Sequence, residues 1–512
     1  MGRNKVGLRG RLCILATISI VAAAVTAGCG GQSSSSAVSS DLSARIDRLV
    51  QAHQDAGLFP EVVVAVNDPE HGSYVHAYGT ADVATHRAAS VNDHFRIGST
   101  TKSFNATAVL QLVDQGKLSL DDVIDKYVPG IPNGSTIRIR DLLGMRGGLY
   151  DYVGYPEWAA QGYLKQPPAV NDGDLLQAIR ANPGNKDVPP NTQTDYSDAN
   201  YFLLGLVMEK ITGKPGRDVF NDLIAQVGLH DTTYPADASM PSPESRGYVY
   251  DSKKLADYTS RSTLQYPYSS AIISTVPDLA KWMSQLGSGA LLKPETFQAQ
   301  TQYTTMVDGV SKYGFGVRSL GKWIGHGGLM IGYTTAMGYL PEKHATIVVA
   351  ANLTKVYDPF VAQWMPMDAG LIWNDLVEEL YPGTGPLKSF PSNVPDPALP
   401  TAADLNSQLQ QALDPNIPAA QKTLRTTTDA QDPDAIDQLA RGSAELGMHI
   451  NIEKVNQLRH GAIMATGTAT NNEHTGPIEI PLEAKDGQWR LTGSWAKCIT
   501  IRGEGPFSPK CL

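Results

Sequence analysis

Phe95-Arg96-Ile97-Gly98-Ser99-Thr100-Thr101-Lys102-Ser103-Phe104 is the stretch on which the reading of the fold turns. It places a hydroxyl at Ser99 and an amine at Lys102 at the head of an apolar repeat. Phe104, Ala108 and Leu112 recur every four residues, Val109 and Val113 lie beside them, and Gly116 follows. That pattern predicts a helix closed by a glycine. Residues three apart on a helix share a face, so the Ser99 hydroxyl and the Lys102 amine are expected to meet at its N-terminus. A serine is a weak nucleophile until a base takes its proton. A lysine partly removed from water can have its pKa lowered towards neutrality and serve as that base, or relay the proton. The helix dipole favours negative charge at the same end, which suits an alkoxide or an oxyanion. S-x-x-K is a short pattern, and it equally describes a helix start with Ser99 as N-cap. The rest of the chain decides between the two.

Two more elements follow. Tyr196-Ser197-Asp198 precedes Ala199-Asn200-Tyr201-Phe202-Leu203-Leu204-Gly205, and His326-Gly327-Gly328 lies within Ile324 to Tyr333. On the residues alone, Asp198 reads as a helix N-cap, because Tyr201, Leu204, Met208 and Ile211 form a helical stripe that Gly213 closes. Together the three elements run in the order S-x-x-K, Y-x-[N/D], [K/H]-x-G. In that order they resemble the serine β-lactamase and penicillin-recognising family. The similar branch holds class C β-lactamases, D-alanyl-D-alanine carboxypeptidases, related esterases and aminopeptidases. Asp141-Leu142-Leu143-Gly144-Met145-Arg146-Gly147-Gly148-Leu149, Ser274-Thr275-Val276-Pro277-Asp278-Leu279 and Tyr313-Gly314-Phe315-Gly316 resemble that branch as well. The resemblance runs from about residue 42 to about 380.

The resemblance implies an α/β sandwich, an antiparallel sheet flanked by helices, with an all-helical lobe inserted and Ser99 at the lobe boundary. Thr334–Leu340 and Ala345–Asn352 are expected among its strands. It implies that Ser99 attacks an acyl carbonyl, that Lys102 lowers the barrier to its deprotonation, and that Tyr196 is the second proton handler. His326 would face the substrate carboxylate or the tyrosine. Asp198, Gly327, Gly328 and Leu329 would border the substrate, the glycines letting a strand pass close to it. The backbone N–H groups of Ser99 and Leu329 would form an oxyanion hole. Three departures fall on recognition. Asp198 stands where relatives usually carry Asn, and a carboxylate cannot donate that residue's hydrogen bond unless protonated. Met145-Arg146-Gly147-Gly148 replaces a His-x-Ser-Gly string, and His-Gly-Gly replaces Lys-Thr-Gly. The expected activity is a serine hydrolase working through an acyl-enzyme on a cell-wall peptide or an ester, carboxypeptidase-like or esterase-like. The rival readings are a non-catalytic lipoprotein for peptide binding or interaction, and a β-lactamase, which the departures weaken.

At the N-terminus Arg3, Lys5, Arg9 and Arg11 precede an apolar run from Leu12 to Ala24, the pattern of a signal peptide rather than of a membrane span. Val25-Thr26-Ala27-Gly28-Cys29 resembles a bacterial lipobox, which implies cleavage after residue 28 and lipidation of Cys29. Residues 29–41 then form a Gly/Ser-rich tether, and the expected location is the extracytoplasmic face of the cell membrane. The 512 residues, 42% hydrophobic, suffice for two cores. A net charge of −9 without a long basic run argues against nucleic acid as a partner. No H-e-x-x-H, paired C-x-x-C, P-loop or G-x-G-x-x-G string occurs, so neither metal nor nucleotide is implied.

Residues 42–380 make the first domain and 381–400 a Pro-rich linker of extended character. Residues 401–512 read as an accessory α+β domain. Helices are expected around Leu405–Leu413 and Ala435–Ala440. Strands are expected at Met448–Val455, Ala462–Thr468, Ile478–Ala484 and Gln488–Thr492, the last two joined by an Asp486-Gly487 hairpin turn. This segment, with Trp489 and Trp495, resembles the mycobacterial low-molecular-weight secreted antigen family, which implies a cystatin- or NTF2-like cone. Cys498 and Cys511, in an exported chain, read as a disulfide pinning the C-terminus.

Overall fold

The computed structural model describes residues 40–57, 59–152, 171–185, 187–251, 254–261, 266–307, 311–356, 368–386, 394–430, 432–470 and 475–493. Cys29, Trp495, Cys498, Cys511 and part of the Pro-rich stretch lie outside them.

Glu61–Asp68 reads Glu-Val-Val-Val-Ala-Val-Asn-Asp and is almost wholly buried. A β-branched run of this kind fits a strand covered on both faces. Successive side chains alternate between the faces. Val62, Val64 and Val66 join one core with Leu42, Ile46, Ile372 and Trp373. Val63 and Ala65 join the other, with Phe104, Leu204, Trp282 and Met283. This strand is third in a nine-stranded antiparallel sheet. Beyond it come, in order, Ala345–Ala351, Tyr333–Leu340 and Trp323–Met330. Segments from both ends of the domain therefore share one sheet. Helices Ser40–Asp55 and Asp368–Leu380 cover one face. Val276–Gly287 and a helical lobe that includes Asp198–Thr212 and Gly216–Val227 cover the other. The helix Thr101–Asp114 lies in that second core, and Gly116, at φ +69, follows its end.

In the accessory segment four strands form an antiparallel sheet, His449–Arg459, Ala462–Thr470, Thr475–Lys485 and Gln488–Leu491. Helices Ala402–Ala412 and Ala435–Glu445 supply Leu405, Leu409, Ile436 and Leu439 to its core. Asp486 and Gly487 both have positive φ, 53° and 72°, as a two-residue hairpin turn requires. The first strand runs four residues past the expected end at Val455, through register shifts near Lys454 and Arg459.

Those extra residues have a partner. Leu458 and Met464 are buried in the first body's core beside Leu42 and Ile46. Arg459 Nε lies 2.5 Å from Asp375 Oδ1, and His53 Nε2 lies 3.0 Å from Asp375 Oδ2. All three side chains are at most 7% exposed. Burial alone would raise the Asp375 carboxyl, but Arg459 and His53 outweigh it and hold it below its ordinary value. The two bodies thus share a buried ion network as well as a linker.

Candidate active site

The Ser99 turn is built by close backbone packing. Gly98, at φ +52, opens a short 3-10 turn, Gly98–Thr100, that feeds the helix Thr101–Asp114. Thr100 is the helix N-cap and makes no side-chain cap bond, so Ser99 is not spent as a cap. A Cβ on Gly98 would fall 2.5 Å from the Leu329 carbonyl oxygen, and one on Gly328 would fall 1.9 Å from that of Ile97. Only glycine admits this approach. Thr335 Oγ1 clasps the seam by donating to the Ile97 carbonyl at 3.1 Å. The tight approach that Gly328 permits is therefore to the serine turn. Leu329 borders the same turn, beside Gly98.

Lys102 is fully buried one turn on. Its Nζ donates to Ser99 Oγ at 3.0 Å, Asp198 Oδ1 at 2.8 Å and the Ser269 carbonyl at 3.4 Å. Burial pushes its pKa down, but the Asp198 charge, with Tyr196, outweighs that and raises it above its ordinary value. The sequence-based expectation of a lysine tuned towards neutrality does not hold here, and Asp198 is the reason. Nor is Asp198 a cap. Ser197 caps the helix, its side chain accepting from the Ala199 N–H. Asp198 is the first helical residue, its own N–H donating to Asp151 at 3.2 Å.

The Tyr196 ring faces two cations, Lys102 Nζ at 4.9 Å and the Arg318 guanidinium at 5.4 Å. Tyr313 packs edge-on against it at 5.8 Å. His326 stands on the far side of Tyr313, also edge-on at 5.8 Å. Its Nδ1–H donates to the Gly327 carbonyl at 2.6 Å, which leaves Nε2 to accept from the Tyr313 hydroxyl at 3.2 Å. Burial, then Arg318 and Lys102, hold the imidazole well below its ordinary pKa, so it is neutral at pH 7. His326 is 1% exposed and meets Tyr313, where the resemblance placed it towards the substrate or Tyr196.

Arg318 was not singled out from the sequence. It follows the Tyr313-Gly314-Phe315-Gly316 block by two residues and pairs in register with Gly325, next to His326. Among the described residues no carboxylate pairs with it, and its Nε is buried without a hydrogen-bond partner. Ser269 and Asp151 were not singled out either, and Tyr313 only as part of its block. The first acts through a backbone carbonyl, which has no residue signature. The only described group able to hold a metal jointly is Asp68, Glu70 and His71, on the turn after the strand Glu61–Asp68.

The model of the family described as Beta-lactamase matches residues 46–369, and that of the C-terminal domain of low molecular weight antigen MTB12 matches residues 398–504. A putative penicillin-binding protein of Bacillus subtilis is 25% identical over 266 residues, 51% of this chain and 62% of that protein. A putative D-alanyl-D-alanine carboxypeptidase of Escherichia coli O157:H7 is 31% identical over 207 residues, 37% of this chain and 46% of that protein. The chain spans about half the length of the curated relatives it matches. Among solved structures, a D-stereospecific amidohydrolase from Streptomyces superposes with a TM-score of 0.52 at 25% identity, over 60% of this chain and 94% of that one. The D-amino acid amidase from Ochrobactrum anthropi shares the fold with a TM-score of 0.59 at 24% identity, over 66% of this chain and 97% of that one.

Proposed function

Since this chain belongs to the beta-lactamase family, we propose that it is a serine hydrolase, lipid-anchored through Cys29 outside the cell membrane, that cleaves peptides or esters ending in a free carboxylate. Ser99 Oγ attacks the carbonyl next to the scissile bond. Lys102 already carries its proton and cannot take another. Tyr196, whose ring faces both the ammonium and the guanidinium, relays the proton: its oxygen takes the serine proton as its own hydroxyl proton passes to the leaving group and the bond breaks. The acyl-Ser99 ester is then hydrolysed by water, which regenerates the serine and releases the acid. The backbone N–H groups of Ser99 and Leu329 hold the oxyanion in both steps.

The observation that carries the substrate class is Arg318. A guanidinium is a bidentate carboxylate partner. Here one lies beside the proposed proton handler with no described acidic partner, in a site that lacks the Lys-Thr-Gly hydroxyl. Lipid anchoring rests on the lipobox-like string before Cys29.

The test compares an N-acyl-D-Ala-D-Ala peptide with its carboxamide. A hydrogen bond to a charged partner contributes about 1.5–3 kcal/mol, or roughly 10- to 150-fold. The free acid should be preferred by that factor in kcat/KM, and Arg318→Ala should erase the preference. Equal cleavage of both by the unaltered chain would end the carboxylate reading in favour of an amidase or esterase.

A further inference from the structure

Tyr268 lies on the segment just before the strand Ile273–Ser274, in the left-handed region at φ +62. A bulky side chain holds that conformation only where its surroundings impose it. The surroundings here are a slot cut by two glycines. A Cβ on Gly205 would fall 2.2 Å from the Tyr268 ring, and one on Gly216 would fall 2.4 Å from it. Gly205 sits inside the helix Asp198–Thr212, where glycine is a poor helix former. Admitting this ring accounts for it. The rings of Phe202 and Phe220 stack at 6.1 and 6.3 Å. At the slot's end the phenol meets Glu209 Oε1 at 3.0 Å and Asp172 Oδ2 at 3.1 Å. The backbone is pinned too. The Tyr268 N–H donates to the Tyr234 hydroxyl at 3.2 Å, and its carbonyl accepts from Asn105 Nδ2 at 3.0 Å.

What this pinning holds in place is the next carbonyl, that of Ser269, which accepts from Lys102 Nζ. We infer that Tyr268 is a positioning residue: its slotted ring fixes the Ser269 carbonyl so that the Lys102 amine is directed at Ser99. The reason is a count of donors and acceptors. An ammonium has three N–H groups and no lone pair. Lys102 Nζ lies within hydrogen-bond distance of the Asp198 carboxylate, the Ser269 carbonyl and Ser99 Oγ, and Tyr196 faces it as well. Neither the ionised carboxylate nor the carbonyl can donate, so each must receive an N–H. Two N–H groups are thereby committed, and the third is held on Ser99 Oγ. Without the Ser269 carbonyl the amine can turn, and the ammonium loses an acceptor.

The inference rests on the reading of Ser99 and Lys102 as the reacting pair, and it predicts a measurable change in the lysine itself. The test uses the full chain carrying Tyr268→Phe, which keeps the ring and removes its anchor to Asp172 and Glu209. Gly205→Ala, which pushes the ring from its slot, is the second variant. Tyr268→Phe decides if Gly205→Ala does not fold. The charged and titratable groups around Lys102 are Asp198 and Tyr196, with Arg318 and His326 beyond, and neither substitution alters them. The Lys102 side-chain NMR resonance should titrate about half a unit to one unit lower than in the unaltered chain, a roughly three- to tenfold larger neutral fraction at a given pH. The basic limb of Ser99 labelling by a fluorophosphonate, where the ammonium loses its proton, should move down with it. A ring that serves stability alone would lower Tm and leave the titration unmoved, and an unmoved titration in Tyr268→Phe overturns the inference. Failure of the unaltered chain to label counts instead against the hydrolase reading, and leaves the lysine titration to decide this one.

Discussion

Asp198→Asn is the perturbation with the largest expected consequence. Asp198 and Lys102 form a buried pair at 2.8 Å, with side chains 9% and 0% exposed. Removing one member of such a pair leaves an uncompensated buried charge, at about 3–5 kcal/mol. That cost falls only on the protonated lysine, because neutral Lys102 has no charge to strand. The neutral form therefore gains on the ammonium by a factor of about a hundred or more. Asp198 now raises the Lys102 pKa against burial, so its removal moves that pKa down, and with it the basic limb of the pH–rate profile, where the ammonium loses its proton. The linkage has the same sign. A lysine raised in the folded state stabilises it below the unfolded pKa of about 10.4, and loses that contribution as pH rises through the folded value. Asp198→Asn should accordingly lower Tm at pH 7 and leave it less affected once pH has risen through the folded value. An asparagine can also donate to an acyl side-chain carbonyl that the carboxylate repels. Acylation by a penicillin should rise by roughly tenfold, one charged hydrogen bond's worth, with little loss of simple ester hydrolysis. The assay is intact-mass labelling over pH 5–10, beside ester turnover. If the variant loses ester hydrolysis and still takes no penicillin, Asp198 is a working part of the mechanism, and its treatment as a recognition change on an intact reacting set is wrong.

Two further outcomes follow from the structure. Arg459→Ala strands Asp375 beside His53 and should destabilise the chain by about 3–5 kcal/mol. Asp375 has a lowered folded pKa, so the deficit in thermal unfolding should be full above the unfolded value of about 3.9 and shrink as pH falls through the folded one. A deficit independent of pH would mean that packing, not the ion network, is lost. Cys29→Ser should move the chain out of the membrane fraction, or leave it unprocessed, and stop palmitate incorporation. Palmitate entering that variant would rule the lipobox out.

The helix after Ser99 was legible because its signal is local: spacing fixes which side chains share a face, and a glycine marks the end. Tyr196 and His326 were found through their order along the chain, and their surroundings were not. Which way His326 points depends on Tyr313, a cross-sheet neighbour. Arg318 reaches the site through strand register, and a lone arginine carries no motif. The pairing of Asp198 with Lys102, and its pull towards the protonated lysine, could be anticipated from their motif positions, but the outcome against burial could not. Burial and the counter-charge oppose each other there, and only the 2.8 Å distance decides. The accessory segment's turn was plain from Asp486-Gly487. Its docking was not, because His53, Asp375 and Arg459 are ordinary charges far apart in sequence, and the Pro-rich stretch between the bodies reads as a spacer.

The central claim is that Ser99 forms the acyl-enzyme. Its most direct test is the intact mass of the full chain after reaction with a fluorophosphonate, followed by peptide mapping. The expected result is one adduct, on Ser99, absent in Ser99→Ala and orders of magnitude slower to form in Lys102→Ala, as for groups that act as a unit. An unmodified mass for the unaltered chain, or a Ser99→Ala variant that labels at the same rate, would contradict it.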